Sequence, residues 1–204
     1  SELVNTMCSG ASIALHRAVC ALRSGEISNA VVGAANIILS PDPYMLLSKA
    51  GQLSPTNSVC SFGKDAAGHL RSEGVASLLL KTRTQAEADG DRIYAVIKNT
   101  AVNYNGQGGT SIAAPYAESH SELIKSCYSQ VGIDPRKVGY IESQGMGNPV
   151  ADTAEWNAFN RALRALAKEQ GVELGTGTCR VSTLKPMTGH MEATSALVAL
   201  FKII

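Results

Sequence analysis

Cys8 is the residue whose surroundings point most directly to chemistry. It lies in residues 4–12, V-N-T-M-C-S-G-A-S, and an alanine-rich, almost uncharged run follows over residues 13–22. This run predicts a helix that begins just after Cys8, so the sulfur would face unsatisfied N–H groups and the positive end of the helix dipole. Such a setting lowers the pKa of a thiol and favours a thiolate nucleophile. From local sequence alone, the alternative is a small buried side chain.

The composition excludes several classes of function. The 204 residues are 45% apolar with a net charge of +1, and no Lys/Arg run or aromatic-interleaved basic patch occurs. We therefore expect a globular protein that binds neither nucleic acid nor membrane. The five scattered cysteines (Cys8, Cys20, Cys60, Cys127 and Cys179) form no C-x-x-C pair. They favour thiols in a reducing compartment over disulfides or zinc, and without a visible signal peptide or transmembrane run the expected location is the cytoplasm.

The elements that must position the thiol alternate between strand and helix. Apolar strand patterns fall at residues 30–35, 75–81, 92–102, 138–142 and 180–184, and helical patterns at residues 13–22, 84–89, 116–131, 152–169 and 193–204. The alternation predicts an α/β fold with buried, largely parallel sheets. A strand, a turn and a helix deliver both Cys8 and His190, which predicts two related halves. The glycine-rich residues 103–109 fit no phosphate-binding spacing and are expected to line a substrate site.

Several motifs, in order and spacing, resemble those of one family over essentially the whole chain. T-M-C-S at residues 6–9 is similar to D-T-A-C-S-S-S, and L-R-S-G-E at residues 22–26 matches a helix end. S-P-D-P-Y at residues 40–44, L-S-P at 53–55 and R-S-E-G at 71–74 match further segments, and residues 185–192 match K-x-N-x-G-H-x-E. The sequence thus resembles the β-ketoacyl synthase (ketosynthase) domains of modular polyketide synthases, which have the thiolase fold.

The resemblance implies decarboxylative Claisen condensation. An acyl chain passes from the phosphopantetheine of an acyl carrier protein to Cys8, and a malonyl unit on a second carrier is then decarboxylated and attacks the thioester. Two histidines normally assist, and His190 corresponds to the second of them. The equivalent of the first lies in E-A-H-G-T-G-T, where this chain has Gln144. An amide can donate a hydrogen bond but cannot exchange a proton near neutrality.

The departure at Gln144 predicts a non-elongating ketosynthase of the trans-acyltransferase type. Such an acyltransferase accepts a chain on Cys8 and passes it on without adding a two-carbon unit. Two alternatives stay open: a condensing enzyme with a Cys/Gln/His triad, or a catalytically silent scaffold or heterodimer partner. The site residues that the resemblance implies are catalytic Cys8, His190, Gln144 and Lys185, and substrate-binding Met146, Asn148 and Thr188. Lys185 is expected to form a buried pair with Glu142 or Glu192 that orients the site.

The resemblance also implies how the chain is organised and what it works with. Residues 1–90 would be the end of the N-terminal thiolase-like half and residues 91–204 most of the C-terminal half. We expect a fragment that lacks both ends of the full domain, since a downstream G-F-G-G-T-N segment is missing. Acyl carrier proteins and a second copy of the chain in a homodimer are the expected partners. No metal or bound cofactor is expected.

Overall fold

Helices and strands alternate along the computed structural model of the chain, which describes residues 1–106, 108 and 115–204. The elements are α1 Gly10–Ser24, β1 Asn29–Asn36, α2 Asp42–Lys49, β2 Gly74–Lys81, α3 Arg83–Ala88, α4 Ala117–Ser129, β3 Tyr140–Glu142, α5 Pro149–Gln170, β4 Arg180–Ser182, α6 Lys185–Thr188 and α7 Ser195–Ile203. Short 3₁₀ turns occur at Met7–Ser9, Pro135–Lys137 and Glu192–Thr194. This alternation confirms the predicted α/β class.

The chain forms two compact units, each assembled from separate stretches. Unit 1 comprises Ser1–Ser40, Arg71–Thr100 and His190–Ile204, and unit 2 comprises Pro41–Leu70 and Ala101–Gly189. The predicted division into residues 1–90 and 91–204 stays a prediction.

Helix α1 forms where the alanine-rich run predicted it and is slightly longer at both ends. Alanine and leucine favour the helical backbone, and the helix stops at Gly25, whose left-handed conformation (φ 75°) lets its N–H bond the carbonyls of Ala21 and Leu22. Arg23 in the last turn also donates to the carbonyl of Lys98 and to the Asn99 side chain.

Unit 1 is built on an antiparallel strand pair, β1 with β2, in the register Asn29 to Lys81. Helices α1 and α7 cover one face of this pair, where Ala11, Val32, Ala76 and the fully buried Leu197 form the core. The opposite face stays exposed, with Val31 at 74%.

This geometry corrects two expectations. The pair is antiparallel rather than parallel, and each strand is buried on one face rather than two. Burial alternates along β1 because successive side chains point to opposite faces of a strand. An apolar run indicates that a strand packs against other apolar side chains. It does not indicate whether one or both faces of the strand are covered.

Unit 2 holds a short parallel pair, β3 with β4, and the packed helices α4 and α5. Asn148 caps the start of α5, where its Oδ1 accepts from the backbone N–H groups of Val150 and Ala151. Gly171, in the left-handed region, ends the helix. The helix therefore begins directly after the turn that carries Gln144.

The predicted strand over residues 92–102 is wrong, because this segment belongs to no hydrogen-bonded strand. Its alternating apolar side chains are largely exposed, with Tyr94 at 67%. A strand is stabilised by hydrogen bonds to a neighbouring strand, and an alternating pattern of side chains does not show that such a neighbour exists. The predicted substrate loop over residues 103–109 lies partly outside the described residues.

Candidate active site

The nucleophile candidate Cys8 lies in the 3₁₀ turn immediately before α1, as predicted. Its neighbour Met7 adopts a left-handed backbone (φ 55°), which a residue with a Cβ adopts at a cost of about 1–2 kcal/mol. The Ser9 hydroxyl closes the turn by donating to the carbonyl of Thr6 at 2.9 Å. The strained backbone and this hydrogen bond within the turn fix the direction in which the Cys8 thiol points.

That direction brings the thiol to an imidazole. Cys8 Sγ lies 3.1 Å from Nε2 of His190, although the two residues are 182 positions apart in sequence. The other ring nitrogen, Nδ1, lies 2.9 Å from the hydroxyl oxygen of Ser195, the first residue of α7. When Nδ1 carries the proton and donates to Ser195, Nε2 is the nitrogen that can take a proton from the thiol.

His190 is 1% exposed and is held by its backbone as well as its ring. Its carbonyl accepts from the N–H of Ser72 at 3.0 Å, and Arg71 forms an isolated bridge beside it. Arg71 Nε also donates to Oε1 of Glu192 at 2.5 Å, in an ion pair whose arginine side chain is 5% exposed. This pair fixes the segment that follows His190.

Glu192, one of the two carboxylates predicted to pair with Lys185, forms an ion pair with Arg71, and its pairing with Lys185 stays a prediction. The other candidate partner, Glu142, accepts a hydrogen bond from the hydroxyl of Tyr140. A pair between Lys185 and Glu142 stays a prediction.

In unit 2, Gln144 lies on a turn that follows β3 and is braced from several sides. Glu155, 7% exposed, accepts from the backbone N–H of Gln144 at 2.7 Å and from that of Gly145 at 2.8 Å. Ser61 donates to the carbonyl of Gly145 at 2.6 Å, and Thr183 donates to the carbonyl of Gln144 at 3.2 Å. The backbone of this turn is therefore fixed by side chains from three separate positions.

Two glycines allow the turn to pack this closely. Gly145 and Gly147 have φ values of 48° and 69°. A Cβ on Gly145 would lie 2.6 Å from Cγ2 of Thr183, and one on Gly147 would lie 2.7 Å from the carbonyl oxygen of Gly68. Larger residues at either position would displace the turn.

Lys185 joins Gln144 in the same unit. It is 5% exposed, and its Nζ donates to the backbone carbonyl of Gln144 at 2.5 Å and to Oε1 of the Gln144 side chain at 3.0 Å. Gln144 Nε2 in turn lies 3.4 Å from Sδ of Met146. The structure thus brings Gln144, Lys185 and Met146 together.

A pocket of about 520 Å³ opens in unit 2 in front of this group. The predicted substrate-binding residues Met146 and Asn148 line it, and Asn148 also caps α5. His120 contributes to the wall, and burial lowers its pKa below 6.5 despite the opposing influence of Glu155. The pocket wall therefore combines polar groups, the Glu155 carboxylate among them, with apolar side chains.

The remaining predicted substrate-binding residue, Thr188, closes helix α6. Its hydroxyl donates to the carbonyls of Leu184 and Gly189, at 3.4 and 3.2 Å. Within the described ranges no group of three or more His, Cys, Asp or Glu side chains could hold a metal ion. Among the helices described, none is long and apolar enough to cross a membrane.

Sequence reasoning missed three residues that position the site: Ser195, Arg71 and Glu155. Of these, only Arg71 lies in a segment matched above, R-S-E-G at residues 71–74, and it had no assigned role. The available signals were a hydroxyl five positions after His190 at the start of a predicted helix, and a carboxylate one turn inside another helix. Neither of these sequence features shows which group the hydroxyl or the carboxylate would hydrogen-bond.

Comparison with known proteins assigns the family. The model of the beta-ketoacyl synthase N-terminal domain matches residues 1–86, and that of the beta-ketoacyl synthase C-terminal domain matches residues 94–204. The chain therefore belongs to the β-ketoacyl synthase family.

Within that family, two of its relatives are the following polyketide synthases. The chain is 41% identical over 204 residues to polyketide synthase ThaG of Burkholderia thailandensis, covering 100% of this chain and 4% of the relative. It is 35% identical over 205 residues to polyketide synthase PksN of Bacillus subtilis, with the same 100% and 4% coverage.

Solved ketosynthase structures share the fold. The oxazolomycin ketosynthase domain OzmH KS7 of Streptomyces albus JA3453 superposes with a TM-score of 0.90 at 36% identity, covering 98% of this chain and 33% of that chain. The ketosynthase from module 6 of the bacillaene synthase of Bacillus subtilis 168 gives 0.91 at 32% identity, covering 98% and 35%. These findings place the chain with the ketosynthase domains of polyketide synthases and confirm the thiolase-like fold. The chain spans about a third of each solved ketosynthase.

Proposed function

We propose that the protein is an acyltransferase of the ketosynthase type, which accepts an acyl chain from an acyl carrier protein on Cys8 and passes it on. The observation that carries the proposal is the 3.1 Å separation between Cys8 Sγ and His190 Nε2. A nucleophile within hydrogen-bond reach of a base, which is itself oriented by a third group, is the arrangement that activates thiols. Ser195 is that third group.

The transfer needs no reactant besides the acyl thioester and the Cys8 thiol. His190 Nε2 takes the proton of the Cys8 thiol, and the thiolate attacks the carbonyl carbon of the acyl thioester. The new carbon–sulfur bond to Cys8 forms as the bond to the phosphopantetheine sulfur breaks. The departing thiolate takes the proton back from His190. The same steps in reverse deliver the chain to the next carrier thiol.

We further propose that the protein does not elongate the chain, because Gln144 stands where the resemblance expects a histidine. An amide cannot exchange a proton near neutral pH, and loss of one positioned acid, base or donor typically reduces a rate about a hundredfold or more.

The proposal includes the partners that such a transfer needs. Phosphopantetheine arrives attached to an acyl carrier protein, and the protein holds no cofactor of its own. We also propose a homodimer in the cytoplasm.

Incubation with acyl and malonyl carrier proteins tests the proposal. Intact-mass measurement should show one acyl group on the protein, with no extended product and no release of carbon dioxide. Cys8→Ala should abolish the acyl adduct, whereas Cys20→Ala, at an exposed thiol on α1, should retain it. Robust chain extension would refute the non-elongating assignment, and the absence of any adduct would favour a silent scaffold.

One observation favours a second candidate, a condensing enzyme with a Cys/Gln/His triad. Gln144 keeps an amide nitrogen directed at the weak acceptor Met146 Sδ, so it retains a donor for a developing negative charge. Release of carbon dioxide from a malonyl thioester, above that of the Gln144→Ala variant, would support condensation.

A further inference from the structure

The orientation of the Gln144 amide is determined by the buried ammonium of Lys185. An ammonium group has donors only, so the group facing it at 3.0 Å must be the amide oxygen. The flipped amide would place N–H groups against the ammonium and remove one of its acceptors. Because Lys185 is 5% exposed, losing an acceptor for its charge would be costly.

The backbone leaves the amide little freedom to move away. Both carboxylate oxygens of Glu155 are used on the turn, one on the N–H of Gln144 and one on that of Gly145. Lys185 also donates to the backbone carbonyl of Gln144 at 2.5 Å. The same ammonium therefore holds both the backbone and the side chain of Gln144.

With its oxygen taken by Lys185, Gln144 presents only its NH₂ group to the unit 2 pocket. That group lies 3.4 Å from the Met146 thioether, which is a weak acceptor. A carbonyl oxygen is a stronger acceptor and would displace the thioether contact. The positive charge behind the amide oxygen polarises the amide and strengthens its N–H donors.

The pocket has room for such a ligand. Its volume of about 520 Å³ is within the usual range for small-molecule sites. Besides Gln144 and Met146, its wall includes the amide of Gln52 and the apolar side chains of Pro115 and Val150. This mixture of polar and apolar side chains suits an acyl chain that carries a polar group.

We propose that Lys185 is a positioning residue that holds Gln144 as a one-directional hydrogen-bond donor, and that the unit 2 pocket prefers acyl chains carrying a second carbonyl oxygen in addition to that of the thioester. The inference rests on the proposed function for the statement that the ligand is an acyl chain. It adds the class of chain that the pocket selects and the residue that sets this selection.

Ligand binding to the Cys8→Ala protein tests the preference without covalent chemistry. The probes are acetoacetyl-pantetheine and butyryl-pantetheine, which differ by one carbonyl oxygen, and their Kd values are measured by isothermal titration calorimetry. We expect acetoacetyl-pantetheine to bind about three- to tenfold more tightly, the value of one net hydrogen bond. Gln144→Glu, which keeps an acceptor for Lys185 and removes the donor, should abolish the preference.

Lys185→Met is the decisive variant, since it leaves Gln144 in place but releases its amide. The ratio of the butyryl-pantetheine Kd to the acetoacetyl-pantetheine Kd should fall towards one, whereas a merely structural role would weaken both ligands and leave that ratio unchanged. Lys168→Met, at an exposed lysine on α5, is the matched control and should keep the preference. If Lys185→Met does not fold, Gln144→Glu decides the outcome.

Three results would overturn the inference: equal affinity for both probes, a preference that survives in Lys185→Met or Gln144→Glu, or binding of neither probe. Acylation of Cys8 by the butyryl thioester is measured separately in the unmodified protein. An adduct combined with any of these results would leave the proposed function standing, while binding preference without an adduct would reject the transfer instead.

Discussion

Replacing Glu155 by glutamine should loosen the turn that carries Gln144. Glu155 is 7% exposed and accepts two backbone N–H groups, from Gln144 at 2.7 Å and Gly145 at 2.8 Å. Glutamine keeps one oxygen and places an NH₂ group against the second N–H, so one buried donor loses its acceptor. Hydrogen bonds to charged groups contribute about 1.5–3 kcal/mol, and an unsatisfied buried donor costs about 1–3 kcal/mol.

We expect the free energy of unfolding of Glu155→Gln to fall by about 2–4 kcal/mol. For a chain of this size, 1 kcal/mol corresponds to a shift in Tm of about 2–4 °C, so Tm should decrease by about 5–15 °C. Urea denaturation followed by circular dichroism gives the free energy, and a calorimetric scan gives Tm.

The matched control is Glu169→Gln, on the same helix. Glu169 is about half exposed and pairs with Lys125 at 2.7 Å. An exposed ion pair contributes about 0–1 kcal/mol, so this variant should stay close to the parent. If Glu155→Gln is no less stable than Glu169→Gln, the carboxylate does not hold the turn and the reasoning fails.

Two further predictions concern single side chains in the two units. Ser195→Ala removes the hydroxyl 2.9 Å from His190 Nδ1, so single-turnover acylation of Cys8 should slow about three- to tenfold. The control Ser24→Ala, at the exposed end of α1, should acylate at the unmodified rate. Equal rates for the two variants would contradict the orienting role of Ser195. Burial lowers the pKa of His120 below 6.5, so the unfolded chain binds the proton more readily. Its contribution to stability is therefore complete above pH 6.5 and is lost as the pH falls through the lowered pKa; an NMR titration midpoint at or above 6.5 would contradict this.

The features predicted from the sequence are those encoded by neighbouring residues. The alanine-rich run and the glycine at position 25 define α1 and its end, and they place Cys8 at its start. The helical pattern over residues 152–169 likewise identified most of α5, which spans Pro149–Gln170. Local propensity and capping act over a few residues, so a single sequence is enough to recognise them.

The features that could not be predicted depend on residues far apart in the chain. Arg71 and Glu192 are separated by 121 positions, and Gln144 and Lys185 by 41. Charge and donor type made each of these residues a candidate for an ion pair or hydrogen bond, but several partners were compatible with the sequence. The antiparallel direction of the β1–β2 pair could not be predicted for the same reason, because an apolar run is equally suited to parallel and antiparallel neighbours.

The separation of 182 positions between Cys8 and His190 also sets an order of events during synthesis. At about 5–20 residues per second, a ribosome produces the thiol roughly 10–35 s before it produces the imidazole. Unit 1 likewise receives its third stretch, His190–Ile204, only after unit 2 has been synthesised. A growing chain therefore exposes the cysteine without its base, and the pair forms only when unit 1 is complete.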